Sequence, residues 1–212
     1  IEGKPVEAPR ELLVYLLLHP TGRTKEQVGL AFWPDASTSQ LRNSFHVTLH
    51  RLRKALGGPE WVTLERERYR INPELIEQFD VTVFEQAIKA GRLEEGTDLY
   101  RGDLLDGEPV GDWSLEHRDR LQRMYVDSLM KLGARFAKEQ RHDRAADAYR
   151  RVLARDEMHE EALQGLMSCH AALGERPQAL RVYRQFAEKL KTEFQSKPRV
   201  ETLRLFERLQ QS

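Results

Sequence analysis

Between Ala36 and Pro59 the sequence carries four basic side chains, Arg42, Arg51, Arg53 and Lys54, and no acidic one. Set on a helix, residues 38–56 divide into two faces. Leu41, Phe45, Leu49, Leu52 and Leu56 recur at steps of four, four, three and four and form one apolar stripe. The opposite face holds Asn43, Val47, His50 and Lys54, with Ser44 and Arg51 on one flank and His46 and Arg53 on the other. These residue types suit the reading of a DNA groove. Arginine and lysine neutralise phosphates, and arginine forks onto guanine. Asparagine pairs with the edge of adenine, and a small apolar group such as Val47 meets a thymine methyl. A helix of this length runs about 28 Å, so only its first half sits deep in one groove. Charge alone fits a solvated helix face equally well. The neighbouring elements must decide.

No other cluster competes as chemistry. The seven histidines, from His19 to His170, show no HExxH or other metal spacing. Gly57-Gly58 lacks the surroundings of a phosphate loop. The carboxylate pairs Asp103/Asp106 and Glu160/Glu161 have no partner base and read as surface charge. Trp33 and Trp113 read as core packing rather than pocket markers. Cys169 is the only cysteine, which excludes an internal disulfide and a CxxC zinc site. It lies between Leu166 and Leu173 and reads as an inert core thiol. No catalytic residue, metal or cofactor is expected.

The elements that must position the basic helix are legible. Arg10 to His19 is an apolar helix, stopped by Pro20-Thr21-Gly22, and the residues before it, from Ile1 to Pro9, read as a strand end and a turn. Thr24-Lys-Glu-Gln27 is a capping box for a helix ending before Pro34. Ser37 or Thr38 caps the basic helix, and Gly57-Gly58-Pro59 ends it. Trp61–Leu64 and Tyr69–Ile71 alternate as two strands, joined by Glu65-Arg-Glu-Arg68. Helix, helix, helix, hairpin is the order of a winged helix, whose third helix enters the groove while the hairpin lies beside it. Arg66 and Arg68 near the tip then reach phosphate or a narrow minor groove, though Glu65 and Glu67 interleave with them.

From Phe79 onward the signal is helical, with expected helices at 81–89, 114–139, 143–154, 159–173, 177–191 and 200–210. Ala145-Ala-Asp-Ala-Tyr149 matches Ala179-Leu-Arg-Val-Tyr183 at a spacing of 34, as Leu129 matches Leu163. That period is the tetratricopeptide signature, with the first and last helices as caps. The expected fold is mostly α: a winged helix-turn-helix with a small hairpin wing over 1–72, and a tetratricopeptide-like helical domain over 79–212.

Composition agrees. The 212 residues are 32% charged and 40% hydrophobic, a globular balance. The net charge of zero hides an asymmetry: residues 1–72 carry 11 basic and 8 acidic side chains, +3, and the remainder carries −3. No apolar run nears the ~20 residues of a membrane helix, and Ile1-Glu-Gly-Lys does not resemble a secretory signal. A cytoplasmic protein without a membrane partner is the default expectation.

Several segments resemble the Streptomyces antibiotic regulatory protein family. Leu12–His19, Phe32-Trp-Pro-Asp35, Leu41–Gly58 and Tyr69-Arg-Ile71 resemble its OmpR/PhoB-type winged helix. Val83-Phe-Glu85, Leu99–Gly107, Trp113, Glu116–Leu121, Glu160-Glu-Ala162 and Ala179–Tyr183 resemble its bacterial transcriptional activator domain. The resemblance covers nearly the whole chain in the family's order. It implies a sequence-specific transcription regulator, an activator that binds direct repeats of double-stranded DNA as head-to-tail protomers and helps recruit RNA polymerase. Carried over by position, the DNA-facing residues are Asn43, Ser44, Val47, His50, Arg51 and Arg53, with Arg66 and Arg68 on the hairpin; Lys54 joins them from the helix wheel. Three departures stand out. The family's first unit opens with a small sheet, of which the start of this chain matches only the last strand, so truncation at the N-terminus is expected. Its wing often ends in glycines, and Glu65–Arg68 has none. Position 50, often basic or polar in relatives, is histidine. A second reading stays open: an interaction adaptor that uses the helical domain, with a winged helix that no longer binds DNA.

Overall fold

The computed structural model describes residues 7–76, 78–107 and 111–211. The strand end expected at residues 1–6 lies outside them. Residues 7–9 are not a turn: the first helix, α1 (Glu7–Leu17), already includes them. Pro9 sits in the first helical turn, where its missing N–H has no partner to lose. β1 (Arg23–Thr24) follows, a strand too short to show any alternation. Thr24 then caps α2 (Lys25–Phe32) through the expected capping box, its hydroxyl accepting from Gln27 N while Gln27 Oε1 accepts from Thr24 N. Ser37 does the same for α3 (Thr38–Leu56) with Gln40. Such caps contribute about 1 kcal/mol each and fix where the helices begin. Gly57, in the left-handed conformation at φ 95°, ends α3.

β2 (Val62–Glu65) and β3 (Arg68–Ile71) form the hairpin, and β3 also pairs with β1, giving an antiparallel sheet in the order β1-β3-β2. Glu65 pairs with Arg68, so the connection has two residues rather than the four expected. Arg66 and Glu67 occupy it at φ 48° and 63°, a type I′ geometry built without glycine. Gly22 explains the close approach of β1. A Cβ there would lie 2.9 Å from Arg68 Cβ, and its φ of 79° favours glycine.

Two compact units emerge: residues 1–83 with 102–121, and residues 84–101 with 122–212. This division differs from a single cut near residues 72–78. In the first unit, Leu12, Leu16, Val28, Phe45, Leu49, Leu52, Val62 and Ile71 are buried together. Residues 102–121 join it because Trp113 stacks on Phe32 (5.7 Å) and meets Tyr15 edge-on (5.3 Å). Arg118 holds that segment's own backbone, donating from Nε to Leu104 O (2.6 Å) and from Nη2 to Leu105 O (2.7 Å).

The second unit is helical: α4 (Asp80–Lys89), which starts in the first unit, α5 (Leu93–Leu99), α6 (Leu115–Lys138), whose first turns belong to the first unit, α7 (His142–Leu153), α8 (Glu160–Ala172), α9 (Arg176–Phe194) and α10 (Val200–Gln211). Successive helices from α7 to α10 pack on one another. The matched positions of the sequence repeat share their burial: Ala145 and Ala179 are fully buried, and Leu129, Leu163, Tyr149 and Tyr183 lie in the core. The Tyr149 ring fills a slot between Gly133 on α6 and Gly165 on α8. A Cβ at either position would come within 2.7 or 2.5 Å of the ring. The buried Glu160 carboxylate caps α10 from 39 residues away, accepting from Arg199 N (2.9 Å) and from Thr202 Oγ1 (2.5 Å). Cys169 is buried, and burial pushes its thiol up from the usual range.

Candidate nucleic-acid interface

α3 owes its orientation to its inner face. Phe45, Thr48, Leu49 and Leu52 are buried, with Leu41 and Leu56 half-buried at its ends. Burial of each large apolar side chain contributes about 1.5–3 kcal/mol, so this stripe leaves α3 one rotational setting. The opposite face must then meet solvent. Asn43, Val47, His50 and Lys54 are exposed at steps of four, three and four, as are Arg51 and His46 beside them. Val47 is 41% exposed, an apolar spot among polar neighbours. Ser44 lies half-buried on the flank. Arg42 is exposed on the N-terminal half of the same surface. The wheel left Arg42 out of the candidate set, although the acid-free stretch that contains it carried the signal. With no acidic residue in its first turn and Arg53 and Lys54 in its last, α3 keeps its outer side free of carboxylates.

Two of the expected residues also bond within the protein. Arg53 is half-buried and donates from Nη2 to Val62 O on β2 (2.6 Å), so its guanidinium ties the helix to the hairpin. Arg68 lies in the β3 ladder rather than at the tip and donates from Nη1 to Gly22 O (3.2 Å). Arg66 is exposed in the turn itself, beside the exposed Glu67. Arg70 pairs with Glu65 across the hairpin (2.6 Å), which leaves one of its acids engaged with a base.

The first unit thus presents an acid-free helix face beside a hairpin with one basic side chain at its tip. That arrangement can lay phosphate-binding and base-pairing groups along a major groove. Among the described residues, no group of three His, Cys, Asp or Glu is placed to hold a metal ion. No helix there is long and apolar enough to cross a membrane.

Residues 79–210 match the family model described as the bacterial transcriptional activator domain. The match covers more than half of the chain. The chain belongs to the bacterial transcriptional activator domain family. The regulator resemblance read from the sequence motifs is borne out by this membership. Among solved structures, the chain is similar to Mycobacterium tuberculosis EmbR, determined in complex with a low-affinity phosphopeptide. The identity is 20%, the TM-score is 0.68, and the likeness covers 99% of this chain and 60% of EmbR. At that identity the likeness is one of fold, and the chain spans about 60% of EmbR's length. No curated protein matches the sequence.

Proposed function

We propose that this member of the bacterial transcriptional activator domain family is a sequence-specific DNA-binding regulator. Its first unit acts as an OmpR/PhoB-type winged helix. α3 enters the major groove with Asn43, Ser44, Val47, His50, Arg51 and Lys54, and Arg66 on the wing meets the backbone beside it. Arg53 and Arg68 brace that wing while adding charge near phosphate. The second unit is a tetratricopeptide-like module that meets a protein partner, RNA polymerase being the one expected of an activator. Two protomers bind a direct repeat head to tail, in the cytoplasm. The observation that carries this reading is the exposed, carboxylate-free face of α3, held outward by a buried stripe on the same helix.

A second reading has its own support. Arg53 and Arg68 spend their guanidiniums on protein carbonyls, and Glu67 sits at the wing tip. An adaptor whose winged helix no longer binds DNA fits those facts.

Asn43→Ala and Arg51→Ala separate the two. A good bidentate base contact is worth about 1–3 kcal/mol of discrimination. Each variant is expected to lose roughly 5- to 150-fold in affinity for a duplex selected by the wild type, with a thermal midpoint within about 2 °C of it. A wild type that selects no duplex would favour the adaptor, and wild-type affinity in both variants would remove α3 as the reading helix.

A further inference from the structure

Surface helices ordinarily turn a polar face to solvent. α10 does not. Its inner residues, Leu205, Phe206 and Leu209, pack on the buried cluster of α8 and α9, and Phe206 stacks on Tyr183 at 4.1 Å. Yet Val200 and Leu203, on another side of α10, are 56% and 40% exposed, and Phe194 at the end of α9 is 57% exposed. Gln195, left-handed at φ 49°, breaks α9, and the chain turns back through Pro198 into α10. Between the two helices lies an open groove of about 730 Å³, floored by Ala187 and Tyr183 and walled by Val200 and Leu203. Its charged lining residues are Lys191 and Lys197, and none of its nine lining residues is acidic. The described residues offer neither lysine an ion-pair partner, whereas Lys189, outside the groove, pairs with Glu157 and Glu193.

We propose that this groove docks an amphipathic helix of a partner protein whose apolar stripe is flanked by acidic side chains. The apolar walls take the stripe as a helix-in-groove contact. Lys191 and Lys197 select the acidic flanks, because an unpaired ammonium beside an apolar surface gains most from a carboxylate that arrives with it. Exposed apolar area rimmed by polar groups is the expected mark of such a surface. The proposal is independent of DNA reading by α3.

The test uses the full chain and two labelled synthetic peptides of about 18 residues, both with leucines at helical spacing. One carries glutamate on its flanks and the other carries lysine. Binding is followed by fluorescence anisotropy, and the protein's own association state by sedimentation. The glutamate peptide is expected to bind at least ~10-fold more tightly than the lysine peptide. Leu203→Asp is expected to weaken it by ~10-fold or more at unchanged helical content. The double variant Lys191→Glu/Lys197→Glu is expected to reverse the order of the two peptides, a change that misfolding does not produce. Equal binding of the peptides, no binding of either, or indifference to Leu203→Asp would overturn the proposal. So would a dimer of the free protein that Leu203→Asp dissolves, since the occupant would then be a second copy.

Discussion

Arg53 reaches from α3 to β2, where its Nη2 donates to the carbonyl oxygen of Val62 over 2.6 Å. A hydrogen bond from a charged donor in a half-buried setting contributes about 1.5–3 kcal/mol. The exposed Arg70–Glu65 pair within the hairpin contributes about 0–1 kcal/mol. Arg53 is therefore the stronger of the two restraints on the hairpin, and it fixes the hairpin relative to the helix beside it. All three tryptophans, Trp33, Trp61 and Trp113, belong to the first unit, so their fluorescence reports its unfolding alone. Arg53→Ala is expected to lower that midpoint by at least about 5 °C and to weaken DNA binding as well. An unchanged midpoint would return Arg53 to the role of a plain phosphate contact.

The hairpin turn carries strain that a single substitution can relieve. Arg66 and Glu67 both hold positive φ, where a residue with a Cβ costs about 1–2 kcal/mol. Glycine removes that cost at position 67 but gives back about 0.5–1 kcal/mol in unfolded-chain entropy. Glu67→Gly is expected to stabilise the first unit by about 0.5–1 kcal/mol, read by tryptophan fluorescence in denaturant. It also removes a carboxylate from the tip, so DNA affinity should hold or rise. A destabilised variant would contradict the turn geometry.

Acid should weaken the first unit through His19. Burial holds this imidazole below its ordinary value, although its Nδ1–H donates to Tyr15 O at 2.6 Å, which pulls the other way. The folded state then binds fewer protons than the unfolded chain, for which histidine titrates near about 6.5. The contribution is fully present above that value and is lost as pH falls toward the depressed folded value. The tryptophan-detected midpoint is expected to drop between about pH 7 and pH 5, and to drop less in His19→Gln. Equal pH dependence of the two proteins would remove His19 as the cause.

What the sequence disclosed, and what it hid, follows from the range of the forces involved. α3 was legible because its determinants are local: Ser37 before it, Gly57 after it, and a leucine stripe between them. The Thr24 box and the two hairpin strands were legible for the same reason. α5 was not, because Leu93–Leu99 is short, contains a glycine and shows no apolar period. It is held by the buried Thr97 and by Glu94, which Arg135 and Arg144 both grip. Burial pulls the Glu94 carboxyl upward, but those two arginines outweigh it and hold it below the usual range. The early start of α1 was hidden because Pro9 reads as a breaker when its place in a first turn is unknown. The grouping of residues 102–121 with the first unit rests on Trp113 meeting Tyr15 and Phe32, partners some 80–100 positions earlier in the chain. Within the candidate site, residue type identified a basic face but gave no sign that Arg53 and Arg68 bond to Val62 and Gly22. Direction of a long side chain is a tertiary property, and helix phase alone does not supply it.

Selection from a random pool of duplexes, sequenced after binding to the whole chain at two salt concentrations, tests the central claim most directly. The expected result is enrichment of a direct repeat whose half-sites lie about one helical turn apart. Its affinity should fall steeply with salt as bound phosphates release their counterions, and the enrichment should be lost in Arg51→Ala. The contradicting result is a pool that stays random at both salt concentrations, with no salt-dependent binding at all.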